Sequence, residues 1–294
     1  FPKEEDRKEV IQYIKEILES DVLKTAHNAK WDNGLFLVMG IKVKHLYIDT
    51  ILAAHQLDEN AAKDLDSCVL RYVPEMAGYS NVIKEKYKGK PHKAHGEDLW
   101  FYNAGDADAT LRLAKLFYKK LREDNMWWLH KNVLVPAAEC FIRMENHGVK
   151  CDRDLMKELE KKYIEDHKRI SKEIKEIPEV IQFEQLTGQH YNSASPSHNK
   201  KMFIEIYKLP VIKESEITKQ PSIDKDVLTV YAEKHNNELA RKVRELSLIE
   251  KVLSTYLTGF YKYLYKDDIA HTQINLDVTV TGRTSSGGGG KTKE

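Results

Sequence analysis

The spacing of apolar residues divides the chain into two regions of different texture. Residues 3–19 carry Val10, Ile11, Ile14, Ile17 and Leu18 at helical intervals, which predicts an amphipathic helix. Residues 22–26 then read as a short buried strand, followed by a polar motif and an apolar, helix-like run over 34–39. A second strand is expected at 46–50, with helices at 51–57 and 65–73, the latter stopped by Pro74. A loop rich in Lys, His and Gly spans 84–96, and a long helix follows over 97–122. Strands alternating with helices predict an α/β layer architecture for this first region.

Beyond Asn125 the strand signals fade. Pro136 opens a helix with Ala137, Cys140, Phe141 and Met144 on one face, and Gly148 stops it. Asp152 is placed to cap the next helix, 153–176, dense in Lys and Glu and read as a solvated face rather than a DNA site. A polar turn at 191–196 precedes a helix over 198–207. Ile223-Asp224 starts a long helix, and a helical pattern continues through 239–265. Residues 271–280 alternate like a strand. The chain shows no internal repeat.

Composition narrows the possible partners. The 47 Lys and Arg against 46 Asp and Glu leave a net charge of only +1, so a nucleic-acid partner would have to be met by local clusters. Cys68, Cys140 and Cys151 are too widely spaced for a zinc site and suit a reducing compartment. Apolar runs fall well short of the roughly 20 residues that span a bilayer, and no signal peptide opens the chain. Together these features lead us to expect a cytoplasmic protein. Both ends, Phe1-Pro2 and Gly287 to Glu294, read as cut points.

Two motifs carry candidate chemistry. His27-Asn28-Ala29-Lys30-Trp31-Asp32 ends in a carboxylate, with Asn28 and Lys30 suited to phosphate and Trp31 to an apolar wall. Tyr102-Asn103-Ala104-Gly105-Asp106 places a phenol and a carboxylate four residues apart, on one helical face. A carboxylate there can ligate a metal while the phenol orients a water. A two-metal phosphodiesterase wants about four carboxylates around ions about 4 Å apart, and only Asp32 and Asp106 are in register. Taken singly, Asp32 also reads as a cap or turn residue and Tyr102–Asp106 as a surface pair. Asp108 points elsewhere and reads as solvated. His27, His45, His55, His92 and His95 show no metal-ligand spacing.

In order and separation, Asn-x-Lys-x-Asp followed by Tyr-x-x-x-Asp resembles the second and third motifs of the proofreading 3′–5′ exonuclease domain of family A DNA polymerases, the bacterial DNA polymerase I type. Ile48-Asp49-Thr50-Ile51-Leu52-Ala53-Ala54 resembles the Asp-Thr segment between them. The second region is similar to the polymerase module of the same family. Pro136 through Val149 resembles its opening "Pro … Met-Glu … Gly-Val" stretch, and Tyr191-Asn192 to Pro196 with Leu209-Pro210 is similar to the thumb segment. Lys251-x-x-Ser254-Thr255-Tyr256 resembles the end of the thumb helix. His271-Thr272 followed by Thr279-x-Thr281-Gly282-Arg283-Thr284-Ser285-Ser286 looks like the start of the palm.

The resemblance implies an RNase H-like α/β exonuclease domain over 1–125, truncated at its N-terminus, a mainly α-helical thumb region over 126–265, and the first palm strand over 266–294. It implies that Asp32 and Asp106 are ligands of a Mg²⁺ or Mn²⁺ pair, that Tyr102 positions the nucleophilic water and that Asn28 lies near the substrate strand. Lys251, Ser254, Thr255 and Arg283 would contact primer–template DNA, with Arg283 able to reach a minor-groove acceptor. Deoxynucleotides would be taken only by the complete parent, acting as a monomer in a bacterial or phage-infected cell.

Departures from the pattern matter equally. The first exonuclease motif, Asp-x-Glu, would lie upstream of Phe1, and Glu4, Glu5 and Asp6 are no substitute for it. The segment Glu214 to Ser222 lacks the glycine common at the thumb tip. After Ser286 comes Gly287-Gly288-Gly289-Gly290 instead of the family's continuation, and no polymerase catalytic residue is present. The chain therefore reads as an internal fragment expected to catalyse neither nucleotide addition nor 3′ hydrolysis, with poor stability of its exonuclease half. A non-catalytic DNA-binding module and a free-standing 3′–5′ exonuclease of the same superfamily are the alternatives.

Overall fold

Strand β1 (Lys24–Ala26) pairs in parallel with β2 (Leu46–Asp49), setting Thr25 opposite Ile48 and Ala26 opposite Asp49. This pair belongs to a computed structural model that describes residues 3–216 and 219–287. The run Gly288 to Glu294 and part of the expected thumb tip lie outside the described residues. The chain divides into two compact units, one formed by the N-terminal stretch to Val149 with the segment from His271, the other by Lys150–Ala270.

In the first unit, α1 (Glu4–Glu19) opens with Glu4, Glu5 and Asp6, whose charges favour the positive end of a helix. It buries no residue, so its apolar spacing makes an amphipathic helix without a buried face. Helix α2 (Ala29–Val38) starts five residues earlier than its apolar run suggests, so Asp32 stands in its first turn. The reason lies outside the segment. Asp49, at the end of β2, supplies the acceptors that the first N–H groups of a helix require.

Helix α3 (Thr50–Leu57) follows β2 directly with Asp49 as its N-cap, and α4 (Leu65–Tyr72) is capped by Asp64 and ends before Pro74. Next come α5 (Asn81–Lys86), which runs into the start of the 84–96 segment expected to be a loop, and the long α6 (Gly96–Glu123). Ile48, Val69, Ala109, Leu113, Phe117 and Leu121 form the core between β2, α4 and α6. A short helix, α7 (Trp127–Leu129), runs through a π turn over His130–Leu134 into α8 (Val135–His147). Pro136 has no N–H to give, and the widened turn lies immediately before it.

The strand expected over 271–280 is shorter. Gln273–Asn275 pairs antiparallel with Ser285–Gly287, and the chain bends away after Asn275. Val278 and Val280 are exposed, so the alternation there has no buried face to sustain a strand.

The second unit is helical: α9 (Arg153–Lys175), α10 (Pro178–Thr187), α11 (Pro196–Lys200), α12 (Lys225–Glu233) and α13 (Glu238–Lys251). Asp152 caps α9 by accepting from the N–H groups of Asp154 and Leu155, and Asp224 caps α12 the same way. Ile170, Phe183, Phe203, Tyr231, Leu239 and Val243 lie in its core. The charged residues of α9 pair along the helix, Arg169 with Asp166 and Glu173, as a solvated face does.

The long helix expected from Asp224 is two helices. Asn236 takes φ 51°, which breaks the first, and Asn237 caps the second through the Ala240 N–H. After α13 a π turn closes at Leu257, so the helix does not reach residue 265. Helix α10 has no counterpart among the expected elements, although Pro178 and Gly188 bracket it. Among the described residues no helix is long and apolar enough to cross a membrane.

Candidate functional site

Asp49 organises the first motif. It is fully buried, and its two oxygens accept the Asn28 N–H at 3.0 Å and the Ala29 N–H at 2.9 Å, with the Ile51 N–H also bonded at 3.1 Å. Asn28 adopts φ 65° and ψ 54°, a left-handed conformation that Asn tolerates better than most residues. Burial pushes the Asp49 carboxyl up to about 6 against the pull of these three N–H donors, and Asp277 adds to the rise. Beside it, the Thr50 hydroxyl donates to the Ala26 carbonyl at 3.2 Å and meets His27 Nδ1 at 2.8 Å. Burial lowers His27 to about 4, so its ring is neutral at physiological pH.

Asn28 lines a cleft of about 410 Å³ with Lys30, Trp31, Glu145, Asn275 and Asp277. Lys30 does not stand free for a phosphate. Its Nζ donates to Glu145 Oε1 at 2.5 Å and to the Ile274 carbonyl at 2.8 Å. Asp32 keeps an exposed surface, yet partial loss of solvent raises its carboxyl above the ordinary aspartate value.

The second motif lies in α6 and is tighter. Tyr102 and Asp106 stand one turn apart on the same face of α6, close enough that each shifts the other's titration. Tyr79, from the segment between α4 and α5, donates its hydroxyl to Asp106 Oδ1 at 2.6 Å and stacks on Tyr102 with centroids 6.3 Å apart. Asp66 lies close enough to raise all three groups, while its own carboxylate accepts from Ser80 Oγ at 2.6 Å and Lys84 Nζ at 2.8 Å. Asp106 is raised above the usual carboxylate range, mainly by burial, with the two phenols pulling it down and Asp66 pushing it up. Burial, with Asp106 adding, pushes the Tyr102 phenol up to about 12. Asp108 turns away and pairs with Arg112 at 3.1 Å.

The structure thus brings Tyr102 and Asp106 together and joins Tyr79 to them. Burial alone raises Asp32, with no charged neighbour contributing. The hard oxygens of Asp32 and Asp106, raised by burial, suit a divalent cation. They do not complete a centre: among the described residues no group of three or more His, Cys, Asp or Glu could hold a metal. Arg283 is exposed in the first unit, following the Gly282 turn at φ 70°. Lys251, Ser254 and Thr255 are exposed in the second, at the end of α13 and in the π turn after it.

Sequence reading missed Tyr79 as a site residue and gave Asp49 only a place in a motif. Gly105, inside the second motif, is the one signal that a ring lies nearby: a Cβ there would come within 2.3 Å of the Tyr79 ring.

Known proteins match both regions. Residues 3–122 match the 3′–5′ exonuclease family model and residues 155–288 that of DNA polymerase family A. The DNA polymerase of Escherichia phage T5 is 27% identical over 95% of this chain and 35% of its own length. DNA polymerase I of Borreliella burgdorferi is 28% identical over 94% of this chain and 29% of its own length. That of Pseudomonas aeruginosa is 28% identical over 97% and 31%. The chain spans about a third of the length of these relatives. Among solved structures, the polymerase domain of M. smegmatis Pol1, in complex with DNA primer-template and dNTP, superposes with a TM-score of 0.73 at 19% identity. That likeness covers 97% of this chain and 44% of the other.

Proposed function

We propose, for a chain that belongs to the family A DNA polymerases and carries 3′–5′ exonuclease homology, that the intact protein extends primers on a DNA template and removes mispaired 3′ ends. The observation that carries the exonuclease part is the placing of Tyr102 and Asp106 on one face of α6, with the Asp106 carboxyl raised by burial. Asp32 and Asp106 would each give a carboxylate to a Mg²⁺ or Mn²⁺ pair, Tyr102 would orient the attacking water, and Asn28 would meet the substrate strand. Mg²⁺, when bound, would stabilise charge on the scissile phosphate.

In this reading residues 1–125 are the exonuclease-like domain, 126–265 the thumb region and 266–294 the start of the palm. Lys251, Ser254, Thr255 and Arg283 would hold primer–template DNA through its backbone and minor groove. Deoxynucleotides belong to the intact protein, which would work in the cytoplasm as a monomer.

By itself the chain of residues 1–294 is expected to turn over neither reaction, because its motifs supply two carboxylates, Asp32 and Asp106, where a two-metal site wants about four. A second reading, a non-catalytic DNA-binding module, is supported by the exposed side chains of Lys251, Ser254, Thr255 and Arg283. Incubating the chain with end-labelled single-stranded DNA and Mg²⁺ or Mn²⁺ tests the first point; Asp106-dependent cleavage would refute it. Binding of a primer–template duplex, weakened by Arg283→Ala, is the outcome expected of the interface.

A further inference from the structure

We propose that Tyr79 is the positioning residue that aims the Asp106 carboxylate, leaving Tyr102 able to serve the attacking water. This rests on reading Asp106 as part of the exonuclease site. A carboxylate has two oxygens and several lone pairs, and a side chain one turn from a helical neighbour keeps rotamer freedom unless something fixes it. Tyr79 fixes it from across the unit: its hydroxyl gives its only proton to Oδ1 at 2.6 Å. Its ring is held in turn by stacking on Tyr102 at an interplanar angle of 22°.

The space for this ring is built into α6. A Cβ on Gly105 would approach three Tyr79 ring carbons at 2.3, 2.8 and 3.0 Å, so the residue preceding Asp106 has to be glycine for the phenol to reach it. The segment carrying Tyr79 is pinned as well, because the next residue, Ser80, is buried and donates to Asp66 at 2.6 Å. Lys84, in the α5 helix that follows, pairs with Asp66 too. With Oδ1 bound by Tyr79, the Tyr102 hydroxyl is not needed to hold Asp106. A phenol that donates to a carboxylate retains acceptor capacity for a water, and one released from it can donate to water.

The test uses the chain as it stands and reads the Asp106 side chain by NMR scalar couplings. Wild type is expected to show one χ1 rotamer. Tyr79→Phe is expected to average it over two or more, whereas Tyr102→Phe leaves it single. A single Asp106 rotamer in Tyr79→Phe overturns the proposal.

A thermal double-mutant cycle gives an independent arm. Gly105→Ala is expected to lower the melting temperature by roughly 3–10 °C, and most of that loss should vanish in a Tyr79→Ala background, where no ring meets the new methyl. An equal loss in both backgrounds also overturns it. Mn²⁺ broadening at Asp106 separately tests the exonuclease reading: its absence would remove the metal role but leave the Tyr79 link to stand or fall on the rotamer.

Discussion

Lys30 and Glu145, 115 residues apart in sequence, meet at 2.5 Å between Nζ and Oε1 with side chains only 16% and 17% exposed. The same Glu145 oxygen accepts the Ile274 N–H, and Lys30 also donates to the Ile274 carbonyl. One ion pair therefore ties α2, α8 and the Gln273–Asn275 strand. At this degree of burial, losing one partner leaves a charge short of hydrogen bonds. Lys30→Ala is expected to cost about 1–3 kcal/mol. Glu145→Ala should in addition speed hydrogen exchange of the Ile274 amide. Denaturant melts and exchange rates check both; an unchanged Ile274 rate would refute the tie.

Asp49 makes a pH-dependent contribution. Its carboxyl is raised from 3.8 to about 6 in the folded chain. A raised group favours the folded state most below its unfolded value, and the benefit is lost as pH rises through the folded value. Asp49→Asn leaves one of the Asn28, Ala29 and Ile51 N–H groups poorly bonded, at a cost of about 1–3 kcal/mol. The gap between wild type and variant should be wider at pH 4 than at pH 7.5, as read from denaturant midpoints at the two pH values. A gap that does not change with pH would count against the raised carboxyl.

His130 works in the opposite sense. It is fully buried, its Nδ1 lies 2.7 Å from Gln56 Oε1, and burial lowers it from 6.5 to about 4. A depressed base supports the fold above 6.5, and that support is lost as pH falls through about 4, when the ring must charge inside the core. His130→Gln should therefore flatten the acid limb of the stability curve between pH 6.5 and 4. Melting temperatures across that range decide it; parallel curves for both proteins would be contrary.

Gly259 guards the end of the α13 segment. A Cβ there would lie 1.9 Å from the Ser254 carbonyl oxygen, a backbone atom that cannot swing away. Gly259→Ala is expected to open the π turn over Val252–Leu257 at a cost of about 3 kcal/mol. Because Ser254 and Thr255 sit in that turn, affinity for primer–template DNA should fall as well. Thermal melts and a binding titration check the pair of effects, and loss of neither would show that the turn absorbs the methyl.

What the sequence determined by itself is the local grammar. Asp152 and Asp224 cap their helices as their position before an apolar run implies, Gly148 ends α8, and Tyr102 and Asp106 share a face of α6 because their spacing matches a helical turn. These interactions span a few residues, and the backbone geometry that creates them is the same in any context. The tertiary structure decided the rest. The start of α2 depends on Asp49, some twenty residues later, and the aim of Asp106 depends on Tyr79, twenty-seven residues earlier. Lys30 faces Glu145 rather than a free anion because α8 packs beside α2. No periodicity encodes such pairs. They exist only when burial of separate apolar faces brings the polar groups within hydrogen-bonding distance, where each must find a partner.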